Sequence, residues 1–94
     1  VVAALAARGE EVVVVDRLRD GQKWRNLAKH RIAGIVPPEK LAAFWEGTPA
    51  IAAVIHMGAI SATTATDGDL VAAANITLPL WLWSACAERE IPLI

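Results

Sequence analysis

The sequence contains no tyrosine and only one cysteine, one methionine and one phenylalanine among its 94 residues. The single cysteine, Cys86, excludes an internal disulfide and any metal site built from several cysteines, and it fits a reducing compartment. Neither sign of charge is in excess, because 9 Lys+Arg oppose 10 Asp+Glu for a net charge of -1. This balance argues against a nucleic-acid-binding domain, which usually presents a strongly basic face.

Apolar residues make up 55% of the chain and charged residues 20%, a composition that excludes a disordered tail. A chain of this length allows one domain at most. It begins at Val1 without a start methionine and enters an apolar segment at once. We therefore expect it to be cut from a longer protein. No basic segment precedes residues 1–7, as a signal peptide would require.

The longest uncharged stretch, residues 70–87, reaches the length of a candidate membrane span. It contains Asn75, Thr77, Pro79 and Ser84, and charged residues close it on both sides. A helix buried on nearly all sides has the same pattern. We favour the buried helix over the membrane span.

Apolar segments with strand character alternate with helical segments along the chain. The four consecutive valines at 12–15 favour a strand covered on both faces. The pattern predicts an α/β fold, part of a Rossmann-like doubly wound parallel sheet with helices on both faces, lacking the first strand and the glycine loop. We expect residues 1–94 to form part of one such domain. The predicted helices are 1–8, 24–29, 37–46 and 67–89, and the predicted strands are 12–15, 31–36, 50–56 and 91–94. Arg8-Gly9 is a typical helix stop, the prolines at 37–38 suit a first helical turn, and Thr66 or Asp67 is the expected N-cap of the long helix.

Asp16 ends the first predicted strand, where a dinucleotide-binding unit places an acid on the adenosine ribose hydroxyls. The glycine fingerprint belongs about 20 residues earlier, before Val1. Arg17 could stack on adenine or pair with a 2′-phosphate, so the choice of cofactor between NAD and NADP stays open. Lys23 could reach a phosphate, although a solvated loop lysine is the simpler interpretation.

Small side chains follow the predicted strand 50–56, and ligands of open parallel sheets bind outside the carboxyl ends of the strands. Gly58 and Ala59 would let the backbone approach a cofactor closely. Ser61 adds a hydroxyl suited to a sugar or a phosphate. His56 has no carboxylate partner nearby in the sequence, so we interpret it as structural.

Asn75 and Cys86 are the polar side chains of interest in the long predicted helix. The Asn75 amide either orders the backbone around a cofactor loop or pairs with a helix carbonyl. Cys86 lies at helical spacing from the apolar Leu82 and Trp83, which favours a small core residue over a nucleophile.

Three segments, 12–27, 56–64 and 87–92, resemble the ADP-L-glycero-D-manno-heptose 6-epimerases. These are extended short-chain dehydrogenases/reductases of the NAD-dependent epimerase/dehydratase family, acting in lipopolysaccharide core synthesis. The Asp-Gly-x-Lys pattern at 20–23 and the Gly-Ala-x-Ser-x-Thr-Thr loop at 58–64 are fairly specific to them. Val-Asp and His-x-Gly-Ala occur in many sugar-nucleotide epimerases and dehydratases.

The resemblance implies a tightly held NADP, with NAD not excluded, and inversion of C6″ of ADP-D-glycero-D-manno-heptose by oxidation and re-reduction. It further implies a cytoplasmic homo-oligomer with a nucleotide-sugar substrate and with neither a nucleic-acid nor a membrane partner. No metal ligand set is implied. The cofactor contacts it implies are Asp16, Arg17, Lys23, Met57, Gly58, Ala59, Ile60, Ser61 and Asn75.

Three positions depart from the pattern of that group. Pro38 stands where a lysine is often found, Met57 replaces an acid so that only its backbone could serve, and Ala74 replaces the first of two asparagines. The catalytic Tyr-x-x-x-Lys pair has no counterpart and is expected beyond Ile94. We therefore expect these 94 residues alone to be inactive and to bind NADP weakly or not at all, since the phosphate-cradling loop is missing.

Two alternatives stay open. One is another NAD(P)-dependent sugar-nucleotide epimerase, dehydratase or reductase, which only substrate-binding residues would distinguish. The other is a nucleotide-binding or interaction module without catalysis, because a fold alone does not decide function.

Overall fold

The computed structural model describes residues 1–18, 22, 24–28, 30–59 and 66–94. Two compact units, Val1–Pro49 and Ala50–Ile94, divide the chain. Parallel strand pairing and helices occur together, which is consistent with part of an α/β fold. The elements in order are helix α1 (Val2–Ala7), strand β1 (Val13–Val15), α2 (Trp24–Ala28), β2 (Gly34–Val36), a 3-10 helix (Pro38–Lys40), α3 (Leu41–Glu46), α4 (Gly68–Ala72), a π-helix (Ala73–Thr77) and α5 (Leu78–Glu88).

The first unit begins with α1, whose end follows the predicted stop signal. Arg8 is the last residue near helical geometry, and Gly9 adopts a φ of 77°. Glycine enters this left-handed region without the steric cost that a Cβ imposes, so it ends a helix readily. The Gly9 N–H donates to the carbonyl of Ala6 at 3.0 Å.

Strands β1 and β2 form a parallel pair in which Val13, Val14 and Val15 face Gly34, Ile35 and Val36. Parallel neighbours need a crossover connection, and α2 lies within it. The valine run suits the strand, because branching at Cβ restricts the side chain and favours extended backbone.

The expectation that this sheet is covered on both faces is wrong for the described residues. Val13 and Val15 share one face, Ile35 lies on the other, and all three side chains are exposed. The pairing register explains why both faces are involved, since adjacent residues of a strand point to opposite sides.

Proline shapes the entry to α3, as the sequence predicts. Pro37 has an extended conformation (φ -60°, ψ 143°) and precedes the 3-10 turn, in which Pro38 occupies the first position. A missing N–H costs nothing there, because the first N–H groups of a helix have no intrahelical partner. Leu41 and Trp45 follow at a spacing of four on one side of α3, and both are buried. They form the described core of this unit.

The second unit contains one parallel bridge, between Val54 and Leu93. The Val54 N–H donates to the Pro92 carbonyl at 2.9 Å, the His56 N–H donates to Ile94 at 2.8 Å, and the Ile94 N–H donates to Val54 at 2.9 Å. The predicted strands 50–56 and 91–94 are thus too long, since the structure has a single bridge there. The bridge is parallel, as the predicted sheet requires. Pro92 has no N–H to extend the ladder, and Glu90 turns the chain at a φ of 54°.

A continuous helical stretch from Gly68 to Glu88 confirms the predicted long helix, with Asp67 as its N-cap. The Asp67 carboxylate accepts a hydrogen bond from the Leu70 N–H at 3.0 Å. A side-chain acceptor at this position satisfies one of the N–H groups that the first turn leaves unpaired.

Only one side of this helix is buried, so the expectation of a helix buried on nearly all sides is wrong. Leu82, Ala85 and Cys86 lie at spacings of three and four and are buried, whereas Leu80 and Trp83 are exposed, Trp83 by 71%. The described part of this unit has no second helix to cover the other side. The helix is long and apolar enough to cross a membrane by length and composition, a test that core helices of soluble proteins also pass.

Candidate functional site

Asp16 lies directly beyond β1, at the carboxyl end of the parallel pair. Its backbone N–H donates to the Val36 carbonyl at 3.2 Å, so the pairing continues one residue past Val15. Its carboxylate Oδ1 accepts the N–H of Arg17 at 2.7 Å. The half-buried side chain is therefore held at the edge of the sheet where parallel folds bind ligands.

Arg17 follows on the same edge and pairs with Glu39, which comes just after β2. The Arg17 Nη2 and Nε atoms lie 3.1 and 3.2 Å from the same Glu39 oxygen, Oε2. The two side chains are 39% and 57% exposed, so the ion pair lies at the surface. Parallel strands end at one edge, which is why residues 22 positions apart in the sequence meet here.

The electrostatics of this edge keep Glu39 ionised. A hydrogen bond from its own backbone N–H is the largest cause that lowers the pKa of the Glu39 carboxyl below its ordinary value. The positive charge of Arg17 and the hydrogen bond from its guanidinium lower it further, against an opposing effect of burial. A negative carboxylate thus sits beside the arginine at neutral pH.

In the second unit, Met57, Gly58 and Ala59 follow the bridged segment and are all exposed. A Cβ added at Gly58 would meet nothing within 4 Å, and its φ is not in the left-handed region. Neither its backbone conformation nor crowding by the described residues demands a glycine at that position. The prediction that Gly58 lets a ligand approach the backbone closely stays a prediction.

Asn75 is exposed in the middle of the π-helix Ala73–Thr77, inside the long helix. In a regular α-helix, the N–H of residue 79 would donate to the Asn75 carbonyl, and Pro79 has none. The wider turn lies one turn before this proline. Single π-turns inside α-helices occur frequently at functional sites.

Three of the predicted cofactor residues, Lys23, Ile60 and Ser61, lie outside the described residues. The others fall into two groups, Asp16 and Arg17 in the first unit and Met57, Gly58, Ala59 and Asn75 in the second. Cys86 is 2% exposed and confirms its interpretation as a core residue. His56 is half-buried and uses its backbone N–H in the parallel bridge.

Sequence reasoning missed Glu39, which it took only as part of the start of a helix. One signal was available: Glu39 is the first acid after β2, as Asp16 is the first after β1. Recognising the pair required knowing that these two strands are neighbours.

Known proteins are similar to this chain over nearly all of its length. The profile of the NAD dependent epimerase/dehydratase family matches residues 1–94. A curated relative, the ADP-L-glycero-D-manno-heptose-6-epimerase of Fusobacterium nucleatum subsp. nucleatum, is 38% identical over 88 residues. The alignment covers 90% of this chain and 26% of the relative, so the chain spans about a quarter of that protein's length.

The match over all 94 residues agrees with the parallel pairing of β1 and β2. The chain belongs to the NAD-dependent epimerase/dehydratase family.

Proposed function

We propose that this chain forms part of the cofactor pocket of an NADP-dependent epimerase acting on ADP-heptose. The full-length protein would invert C6″ of ADP-D-glycero-D-manno-heptose to give ADP-L-glycero-D-manno-heptose for lipopolysaccharide core synthesis. The observation that carries the proposal is the 38% identity to a heptose epimerase across 90% of the chain. Family membership is consistent with a reaction that would transiently oxidise and re-reduce a nucleotide sugar.

The residues at the end of β1 fit the adenosine half of such a cofactor. Asp16 presents a carboxylate that suits the two ribose hydroxyls, since its two oxygens can accept from both. The hydrogen bond from the Arg17 N–H to Oδ1 fixes the direction of that carboxylate. Arg17 would place its guanidinium toward the 2′-phosphate of NADP or over the adenine.

The second unit would contribute backbone and amide groups. The exposed segment Met57, Gly58 and Ala59 offers N–H and carbonyl groups without bulky side chains at two of its three positions. Asn75 would hydrogen-bond near this segment, and Lys23, Ile60 and Ser61 complete the proposed contacts. When bound, the dinucleotide would supply hydride transfer from and back to the sugar, and the residues of this chain would bind and orient it.

We propose that catalysis itself uses residues outside this chain. No tyrosine occurs among the 94 residues, and the catalytic tyrosine and lysine of the resembled epimerases would follow Ile94. The chain would accordingly be inactive by itself. The full-length protein is proposed to be a cytoplasmic homo-oligomer.

The family also contains dehydratases, so the reaction must be tested by its product. Full-length protein would be incubated with ADP-D-glycero-D-manno-heptose and the product followed by mass spectrometry and proton NMR. We expect unchanged mass and an inverted configuration at C6″. Loss of water would identify a dehydratase, and gain of two hydrogens from NADPH a reductase. Unchanged substrate at high enzyme concentration would contradict the proposal.

A further inference from the structure

The ion pair between Arg17 and Glu39 lies where the adenosine end of the cofactor is proposed to bind. Arg17 is adjacent to Asp16 in the chain, and Glu39 reaches across from the end of the neighbouring strand. Two guanidinium nitrogens, Nη2 and Nε, converge on the single oxygen Oε2 at 3.1 and 3.2 Å. Glu39 therefore engages the side of the guanidinium best suited to bind an oxyanion in a forked arrangement.

A 2′-phosphate would bind the same group as the Glu39 carboxylate, the guanidinium of Arg17. Both offer negatively charged oxygens with the geometry that a guanidinium binds. NAD has a neutral hydroxyl in place of the phosphate and does not enter this competition. The balance between the two cofactors at this edge thus depends on both members of the pair.

We propose that Glu39 is a specificity-determining residue, whose carboxylate competes with the 2′-phosphate for Arg17 and so reduces the preference for NADP over NAD. The inference rests on the proposed function, because it requires a dinucleotide whose adenosine ribose lies beside Asp16. Glu39 itself need not touch the cofactor. It acts through Arg17.

Solvent exposure makes this competition adjustable rather than absolute. With 39% of the Arg17 side chain and 57% of the Glu39 side chain exposed, water and salt weaken the pair, and a phosphate can displace the carboxylate. Exposed ion pairs of this kind change equilibria by factors of a few. Glu39 therefore tunes selectivity and does not exclude NADP.

The test measures dissociation constants for NADP and NAD by calorimetry in the full-length protein, stripped of bound nucleotide. In the Glu39→Gln variant we expect the ratio of the two constants to shift toward NADP by about three- to fivefold, with NAD binding nearly unchanged. Glu39→Asp keeps the charge on a shorter side chain, and we expect a smaller shift. Glu46→Gln, an equal change of charge at an exposed position of α3, is the matched control and should leave the ratio unchanged.

A double variant isolates the pair. In an Arg17→Leu background, Glu39→Gln should no longer move the ratio toward NADP, because the carboxylate then has no guanidinium to occupy. An unchanged ratio in Glu39→Gln, an equal shift in Glu46→Gln, or a shift that persists without Arg17 would each overturn the inference. Failure of the unsubstituted protein to bind either dinucleotide would instead overturn the proposed function, and the inference with it.

Discussion

The backbone N–H of Asp16 donates a hydrogen bond of 3.2 Å to the carbonyl oxygen of Val36, and this bond extends the parallel pairing of β1 and β2 to the acid. The side chain of Asp16 is thereby placed by main-chain contacts, independently of its carboxylate. Removing the carboxylate should consequently change binding without disturbing the local fold. The adjacent Arg17–Glu39 pair lies at the same edge.

Substitution Asp16→Ala should weaken cofactor binding by about tenfold or more, because hydrogen bonds to a charged group contribute more than neutral ones. The measurement is the dissociation constant for NADP in the full-length protein, with circular dichroism to confirm an unchanged fold. Glu46→Ala, at an exposed position of α3, serves as the control. Unchanged affinity in Asp16→Ala would remove this residue from the proposed site.

The cap of the long helix predicts a loss of stability in Asp67→Ala. The Asp67 carboxylate accepts the Leu70 N–H at 3.0 Å, and alanine leaves that N–H without this acceptor. The free energy of unfolding should fall by about 1 kcal/mol in urea denaturation. Thr66→Ala is the matched control, since the adjacent Thr66 lies outside the helix and should cost much less. Equal losses in both variants would contradict the assignment of Asp67 as the N-cap.

The buried Cys86 thiol should make the free energy of unfolding depend on pH. Burial raises the pKa of the Cys86 thiol above its ordinary value of 9.0. A pKa that is higher in the folded state than in the unfolded state means that stability is complete below the unfolded pKa and declines as the pH rises through and above it. We expect the free energy of unfolding to fall above about pH 9, with a shallower fall in Cys86→Ala. Identical pH profiles for the two proteins would contradict this.

The same burial predicts slow chemical modification. Cys86 is 2% exposed, so a thiol reagent should react slowly with the native protein and rapidly in denaturant. Labelling would be followed by mass spectrometry, with Cys86→Ala as the control for reaction elsewhere. A native rate equal to the denatured rate would show that the thiol is accessible.

Cell fractionation distinguishes whether the exposed apolar side of the long helix faces lipid or is covered by protein. Acidic residues lie at the start of the helix, at Asp67 and Asp69, and charged residues close it at Glu88, Arg89 and Glu90. We expect the full-length protein to remain in the supernatant after membranes are washed with high salt. Retention in the washed membrane pellet would favour a membrane span over a helix covered by protein.

Local signals predicted most of the elements. The Arg8-Gly9 stop, the valine strand, the proline entry to α3 and the Asp67 cap depend on near neighbours in the chain, and each appears in the structure. Conformational preference and capping act over a few residues, so the sequence carries them directly.

What depends on distant partners was predicted less well. The burial of both sheet faces and of the whole long helix was inferred from apolar runs, yet a run does not say what covers it. The Arg17–Glu39 contact needed the pairing of two strands, and the π-helix around Asn75 needed the exact hydrogen-bond register before Pro79. The ion pair arises from tertiary arrangement and the π-helix from the local hydrogen-bond register, and hydrophobic periodicity specifies neither.

The most direct test of the central claim is the identity of the nucleotide that the protein carries. Full-length protein would be purified without added cofactor, denatured, and its released small molecules identified by mass spectrometry and quantified against protein. We predict a stoichiometric pyridine dinucleotide, with NADP as the main species, and its loss in Asp16→Ala. A preparation that releases no such dinucleotide, and that also binds neither NADP nor NAD in calorimetry, would contradict the account.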